Sequence, residues 1–212
     1  MNPSANAQNG PAARAADRLI SFSDAVVAIA ATLLVLPLVE IVPHSDVTDL
    51  GGLLADNGSQ FYAFVLSFVV VYRFWLVHRR MFDGSINMTT ALLWVNGLWL
   101  LSIVFLPFPT QLIGSQDAQD RLAYGLYIGT LLVTTACGAL SHWLISRSAG
   151  DRFDVTVGPA FVMTGAMALA LLLVVAIPGV GAWALLLLIP AGFAQGRILR
   201  RRRAAATTDG PE

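Results

Sequence analysis

Charge is scarce in this sequence. Asp, Glu, Lys and Arg supply 12% of the 212 residues and hydrophobic side chains 56%. Soluble domains are usually about one quarter charged. Mean hydropathy is +0.69. A globule of this length cannot cover itself with so little polar surface, so the solvent implied is lipid. Basic and acidic side chains number 13 each, and the formal net charge is zero. That balance argues against nucleic acid as a partner. Lysine is absent: every basic residue is an arginine, and most lie at the ends of apolar stretches. Cysteine is nearly absent, and Cys137 alone cannot close an intrachain disulfide. No acid or histidine flanks it closely, so it reads as a structural thiol. The motifs of soluble enzymes are missing, with no GxGxxG, Walker A, HExxH or GxSxG. The histidines, His44, His78 and His142, do not have metal-ligand spacing. Neither a catalytic site nor a metal or cofactor site is expected. The potassium-channel filter TVGYG is missing too.

What is present is a set of long apolar runs. A spanning helix needs about 20 mostly apolar residues. Six stretches qualify, at residues 19–40, 61–79, 89–112, 121–146, 157–177 and 180–198. The expected fold is therefore an all-α, polytopic membrane protein. The breaks carry turn chemistry, and "PGVG" between the last two runs predicts an antiparallel pair. Residues 1–17 are rich in Ala, Asn, Pro and Gly and read as a disordered tail. The first apolar run is too long for a signal peptide and no small-residue cleavage site follows it. Residues 18–199 form the membrane domain, and 200–212 a basic, then disordered, tail.

Arginine placement sets the orientation. Arg14 and Arg18 precede the first span, and Arg79 and Arg80 follow the second. Arg147 and Arg152 follow the fourth, and Arg197 and Arg200 to Arg203 close the chain. The alternate loops carry Asp46, Asp49, Asp56, Asp117 and Asp120 instead. The positive-inside rule then puts both termini in the cytoplasm. An even span count agrees. The run of four arginines at 200–203 reads as a topology anchor near anionic head groups.

Ionisable residues inside spans are costly, which makes each a functional candidate. Arg18 and Asp24 open the first span, Glu40 ends it, Arg73 and His78 lie in the second and His142 in the fourth. At about 100° per residue, Phe22, Ala25, Leu33 and Leu36 fall within roughly 40° of Ile29, and Thr32 about 60° away. Ser23 and Asp24 lie roughly 120° and 140° off, on another face. Ser-Asp could be no more than a helix N-terminus. Yet Trp75 and His78 share a face of the second span at the same depth as Asp24. Unpaired there, each polar group would cost several kcal/mol. Arg18, Ser23, Asp24, Trp75 and His78 can thus form one polar knot, with Asn96 nearby, that clamps helices together.

These residues carry a resemblance. "RLISFSDA" resembles the Arg-x-x-x-Phe-Ser-Asp signature of the transmembrane protein 175 family, the potassium channels of endosomes and lysosomes and their bacterial relatives. "LSFVVVYRFWLVHRRMF" is similar to the family's second helix and "LLWVNGLWLLSIVFLPFPTQLI" to its third. The resemblance implies a cation channel without the usual filter loop, whose first helix lines the pore. It implies a hydrophobic constriction at Ile29, with Leu33 and Leu36 along the same wall, and a potassium-favouring hydroxyl at Thr32. Arg18, Phe22, Ser23 and Asp24 would brace that helix against Trp75, His78 and Asn96. The eukaryotic members carry two six-span repeats, so a one-repeat chain implies a homotetramer. The cation would be potassium and the setting a bacterial plasma membrane. The competing expectation is a secondary transporter of a small cation or solute. Transporters usually repeat broken helices in both halves around a midplane site. Here the polar motif is confined to spans one to three.

Overall fold

The computed structural model describes residues 11–42, 49–82, 89–115, 121–149 and 157–176. Among them the regular structure is entirely helical. The elements are α1 (Pro11–Leu33), α2 (Leu36–Ile41), α3 (Leu50–Asp56), α4 (Gly58–Met81), α5 (Thr90–Phe105), α6 (Pro107–Gly114), α7 (Arg121–Ala149) and α8 (Val157–Ala176). Among the described residues, four segments are long and apolar enough to cross a membrane: Arg14–Ile41, Gly58–Met81, Thr90–Gly114 and Arg121–Arg147. A shorter apolar helix, Ala160–Leu173, matches the expected fifth span. The sixth expected span, its "PGVG" turn and the arginines from 197 onward lie outside the described residues.

α1 begins earlier than expected. It starts at Pro11, inside the stretch read as a disordered tail. Proline suits a first turn because its missing N–H has no partner there in any case. Four alanines follow within residues 12–16, and alanine is the strongest helix former. Ala16 is buried, so this extension is packed.

Two spans are broken by proline. The first pauses between Leu33 and Leu36, with Pro37 in the opening turn of α2. Proline 37 cannot bond back to the carbonyl four residues earlier, and its ring crowds that turn. The chain tightens instead, with Val35 N–H to the Thr32 carbonyl at 3.3 Å. The third span breaks the same way at Leu106, before Pro107 and Pro109, with Leu106 N–H to the Ile103 carbonyl at 3.2 Å. Side chains cap the starts of α5 and α3. Thr89 accepts from Leu92 N–H at 3.2 Å, and Asp49 from Gly52 N–H at 2.9 Å.

The core sits where α4, α5, α6, α7 and α8 meet, joined by Val27, Ala30 and Leu34 from the first span. Val71, Trp99, Ile103, Leu106, Tyr127, Leu131 and Met167 are all buried there. α7 packs along both α5 and α8, and α4 runs beside α6. Polar side chains stitch this apolar core. The hydroxyls of Tyr127, Ser67 and Thr110 stand in a row, 3.1 and 2.8 Å apart, ending 2.8 Å from the Leu106 carbonyl. That carbonyl sits at the proline break and also accepts the Thr110 backbone N–H at 3.1 Å, so the row adds a second bond to an acceptor of the helix itself. Ser102 and Thr134 join α5 to α7 at 2.9 Å. Cys137 is buried in the same core, in keeping with a structural thiol. α1 lies at the side of this bundle, touching α4 and α5.

Candidate functional site

α1 has one packed face and one open face. Ala16, Ser23, Val27, Ala30 and Leu34 are buried, and their spacing of seven, four, three and four residues marks a single stripe. Phe22, Ile29, Leu33 and Leu36 are exposed, Ile29 at 61%. Thr32 is exposed as well. The open stripe therefore joins the residues that the sequence put on one face. Leu36 stays on it although the helix breaks two residues earlier, because the tightened turn keeps the chain winding. The Thr32 hydroxyl donates to the Ile29 carbonyl at 2.7 Å. Its proton is committed to the helix, and its oxygen keeps acceptor lone pairs for the open side.

The packed face carries the polar knot. Trp75 donates its indole N–H to Asp24 Oδ1 at 2.7 Å. Asn96 donates its amide N–H to Ser23 Oγ at 3.2 Å. The oxygen of the same amide lies 2.7 Å from His78 Nε2. An amide oxygen only accepts, so Nε2 carries the proton and donates. The imidazole is stacked on Trp99 at 3.9 Å and tilted against Phe82 at 4.8 Å. The Arg79 guanidinium lies 5.5 Å over the Trp75 ring, a cation–π contact at the end of α4. Ser23, His78 and Asn96 are buried, and Asp24 and Trp75 partly so. Side chains of α1, α4 and α5 are thus linked to one another by hydrogen bonds.

Ser23, Asp24, Trp75, His78 and Asn96 come together as the sequence suggested. Asn96 is more central than expected, since its amide joins α1 to α4. Arg18 and Phe22 do not join them. Both are exposed, Phe22 at 60%, because they fall on the open stripe about 20° from Ile29. Trp99 and the Tyr127–Ser67–Thr110 row were not singled out as a unit. The available signal was a tyrosine in an apolar span, whose hydroxyl needs a partner when buried. Among the described residues no group of three or more His, Cys, Asp or Glu could hold a metal. The hydrogen bonds of the knot join α1 to α4 and to α5, and α4 to α5.

Similarity to known proteins bears directly on this arrangement. Residues 18–107 match the family described as endosomal/lysosomal potassium channel TMEM175. A protein of Streptomyces collinus named as a potassium channel is 31% identical over 145 residues, covering 66% of this chain and 68% of that protein. The chain belongs to the TMEM175 family. A Chamaesiphon minutus protein, also named as a potassium channel, is 36% identical over 120 residues, 54% of this chain. The chain spans 58% of that relative's length, less than two thirds. The crystal structure of a lysosomal potassium-selective channel TMEM175 homolog from Chamaesiphon minutus superposes with a TM-score of 0.71 at 25% identity. It covers 86% of this chain and 98% of its own. With its apolar spans and these relatives, the chain is a multi-pass membrane protein of a channel family, not an enzyme family. Every residue of the stripe and the knot, from Arg18 to Asn96, falls inside the family match.

Proposed function

We propose that this chain is the subunit of a homotetrameric, potassium-preferring leak channel in a bacterial plasma membrane, with both termini in the cytoplasm. Four copies of α1 surround the axis. Ions pass along the stripe of Ile29, Leu33 and Leu36, and Thr32 supplies a ring of oxygens. The carrying observation is the division of α1, in which Ser23, Ala30 and Leu34 are buried while Ile29, Thr32, Leu33 and Leu36 stand open. A ring of Ile or Leu side chains excludes water and blocks ions by dewetting, so a small widening is enough to open it. A threonine hydroxyl with its proton turned into the helix offers a cation a partial negative charge at fixed depth. The knot on the opposite face holds α1 against α4 and α5, so the stripe has a rigid backing. The orientation rests on the arginines at 14, 18, 79, 80 and 147.

Recordings from purified protein in planar bilayers test this. Parent protein gives unitary potassium currents. Ile29→Asn raises conductance and weakens selectivity, because an amide hydrates the constriction. Saturable flux without unitary steps, or a conductance indifferent to Ile29→Asn, would overturn the proposal.

A further inference from the structure

A cavity of about 110 Å³ lies between α4, α7 and α8, with Trp99 of α5 on its wall. Leu131, Met163 and Met167 make that wall largely apolar. Arg73 and Val77, both exposed on α4, also line it, so the cavity opens on that side. His78 borders it too. The Nε2–H of His78 is held by Asn96, which leaves Nδ1 a bare acceptor in the neutral ring. Nδ1 has no hydrogen-bond partner among the described residues. Gln60 Oε1 is the one side-chain nitrogen or oxygen among them that is both unpartnered and sealed off. Nδ1 is therefore open to contact. Only 4% of His78 is exposed, so what it opens to is the cavity that the ring lines. Gly138 of α7 stands on the same lining, and a Cβ there would meet nothing within 4 Å. Glycine inside a helix costs about 1 kcal/mol against alanine, and no close neighbour calls for it here. Space is thus kept open beside an acceptor that lacks a donor.

We infer that this cavity binds the hydroxyl end of a small neutral alcohol drawn from the bilayer. Buried polar atoms in native structures nearly always find partners, so Nδ1 asks for a proton donor. A ketone, an ether or a carboxylate ion has no such proton to give. A cation has one or needs none, but among the described residues the lining holds no carboxylate and does hold the Arg73 guanidinium. The half-buried His142 ring is on that lining as well. A hydroxyl that donates to one imidazole keeps lone pairs for an N–H of the other. Water could serve the nitrogens but draws nothing from the apolar wall. The volume corresponds to about four water molecules at about 30 Å³ each, room for a hydroxyl and a three-carbon chain. A longer tail leaves past Arg73 and Val77 into lipid. No described residue of α1 lines the cavity, so the site is separate from the open stripe.

The test is ¹⁹F NMR of 3-fluoropropan-1-ol with the purified full chain in nanodiscs, against empty nanodiscs. Saturable line broadening that needs the protein is expected. 1-Fluorobutane replaces the hydroxyl by a methyl group of similar size. At equal concentration in the bilayer it should bind about tenfold more weakly, the loss of one hydrogen bond. Gly138→Leu fills open space rather than packed atoms, so it should melt near the parent and abolish the broadening. Equal binding of 1-fluorobutane would overturn the inference, as would no protein-dependent broadening of the alcohol. Broadening that survives in a folded Gly138→Leu protein would place the alcohol elsewhere and overturn it too. The two probes are compared on the parent protein without current, so this result stands apart from whether the chain conducts.

Discussion

Asn96→Ala separates a clamp from an ornament. The amide of Asn96 makes two of the three knot bonds, to Ser23 at 3.2 Å and to His78 at 2.7 Å. Its removal leaves two buried groups to find other partners. They differ in how easily they can. The Ser23 hydroxyl can retreat to a carbonyl of its own helix, as Thr32 does with Ile29. The His78 N–H cannot, since its ring is sandwiched between Trp99 and Phe82. Side-chain hydrogen bonds between membrane helices average only about 0.6 kcal/mol. An unsatisfied buried donor costs about 1–3 kcal/mol. The second figure applies here, because the packed ring holds the donor where the bond was. Adding a small cavity gives about 2–4 kcal/mol. For a chain of this size each kcal/mol moves the melting temperature by about 2–4 °C. A loss of about 5–15 °C is therefore expected in a detergent thermal melt followed by size-exclusion fluorescence. A variant melting within about 2 °C of the parent, with altered ion selectivity, would refute the clamp and make the knot part of the ion path.

Asp24→Ala strands the Trp75 indole N–H and should lower the yield of folded, assembled protein on gel filtration more than it changes currents through the channels that form; a stable assembly with altered selectivity would contradict this. Thr32→Ala should lower the preference for potassium over sodium in reversal-potential measurements, while Thr32→Ser, which keeps the oxygen, should largely retain it; equal loss in both would assign the effect to shape. Gly114→Leu should cost about 1–3 kcal/mol in thermal stability through overpacking. A side chain there meets Gln60 Cα at 3.2 Å and Ala63 Cβ at 3.3 Å, and an unchanged melt would mean α4 and α6 can part freely.

Much of the fold was legible because lipid enforces a simple rule. Apolar runs of about 20 residues must be helices, and the expected spans two to five fall within a few residues of the observed helices. The faces of α1 were legible from geometry alone, since a 100° step separates Ser23 from Ile29 whatever surrounds them. Partnerships were harder. Trp75 with Asp24 followed from shared depth, but the two-sided role of Asn96 depends on how α5 is rotated, which hydropathy does not encode. The placement of Arg18 went astray for a related reason. Charge suggested the knot, but rotation put Arg18 on the stripe. The start of α1 was misjudged because Ala-rich composition reads as both helix and low-complexity tail.

The open face of α1 has a consequence for how such a protein changes over time. Ile29, Thr32, Leu33 and Leu36 are largely free of the chain's own packing, so exchanging them leaves each subunit's core intact. If ions pass along this face as proposed, conduction can drift by single substitutions while the scaffold holds still. Ser23, four residues from Val27 on the packed stripe, has no such freedom. Two rates of divergence should therefore run along one helix, alternating with its turn.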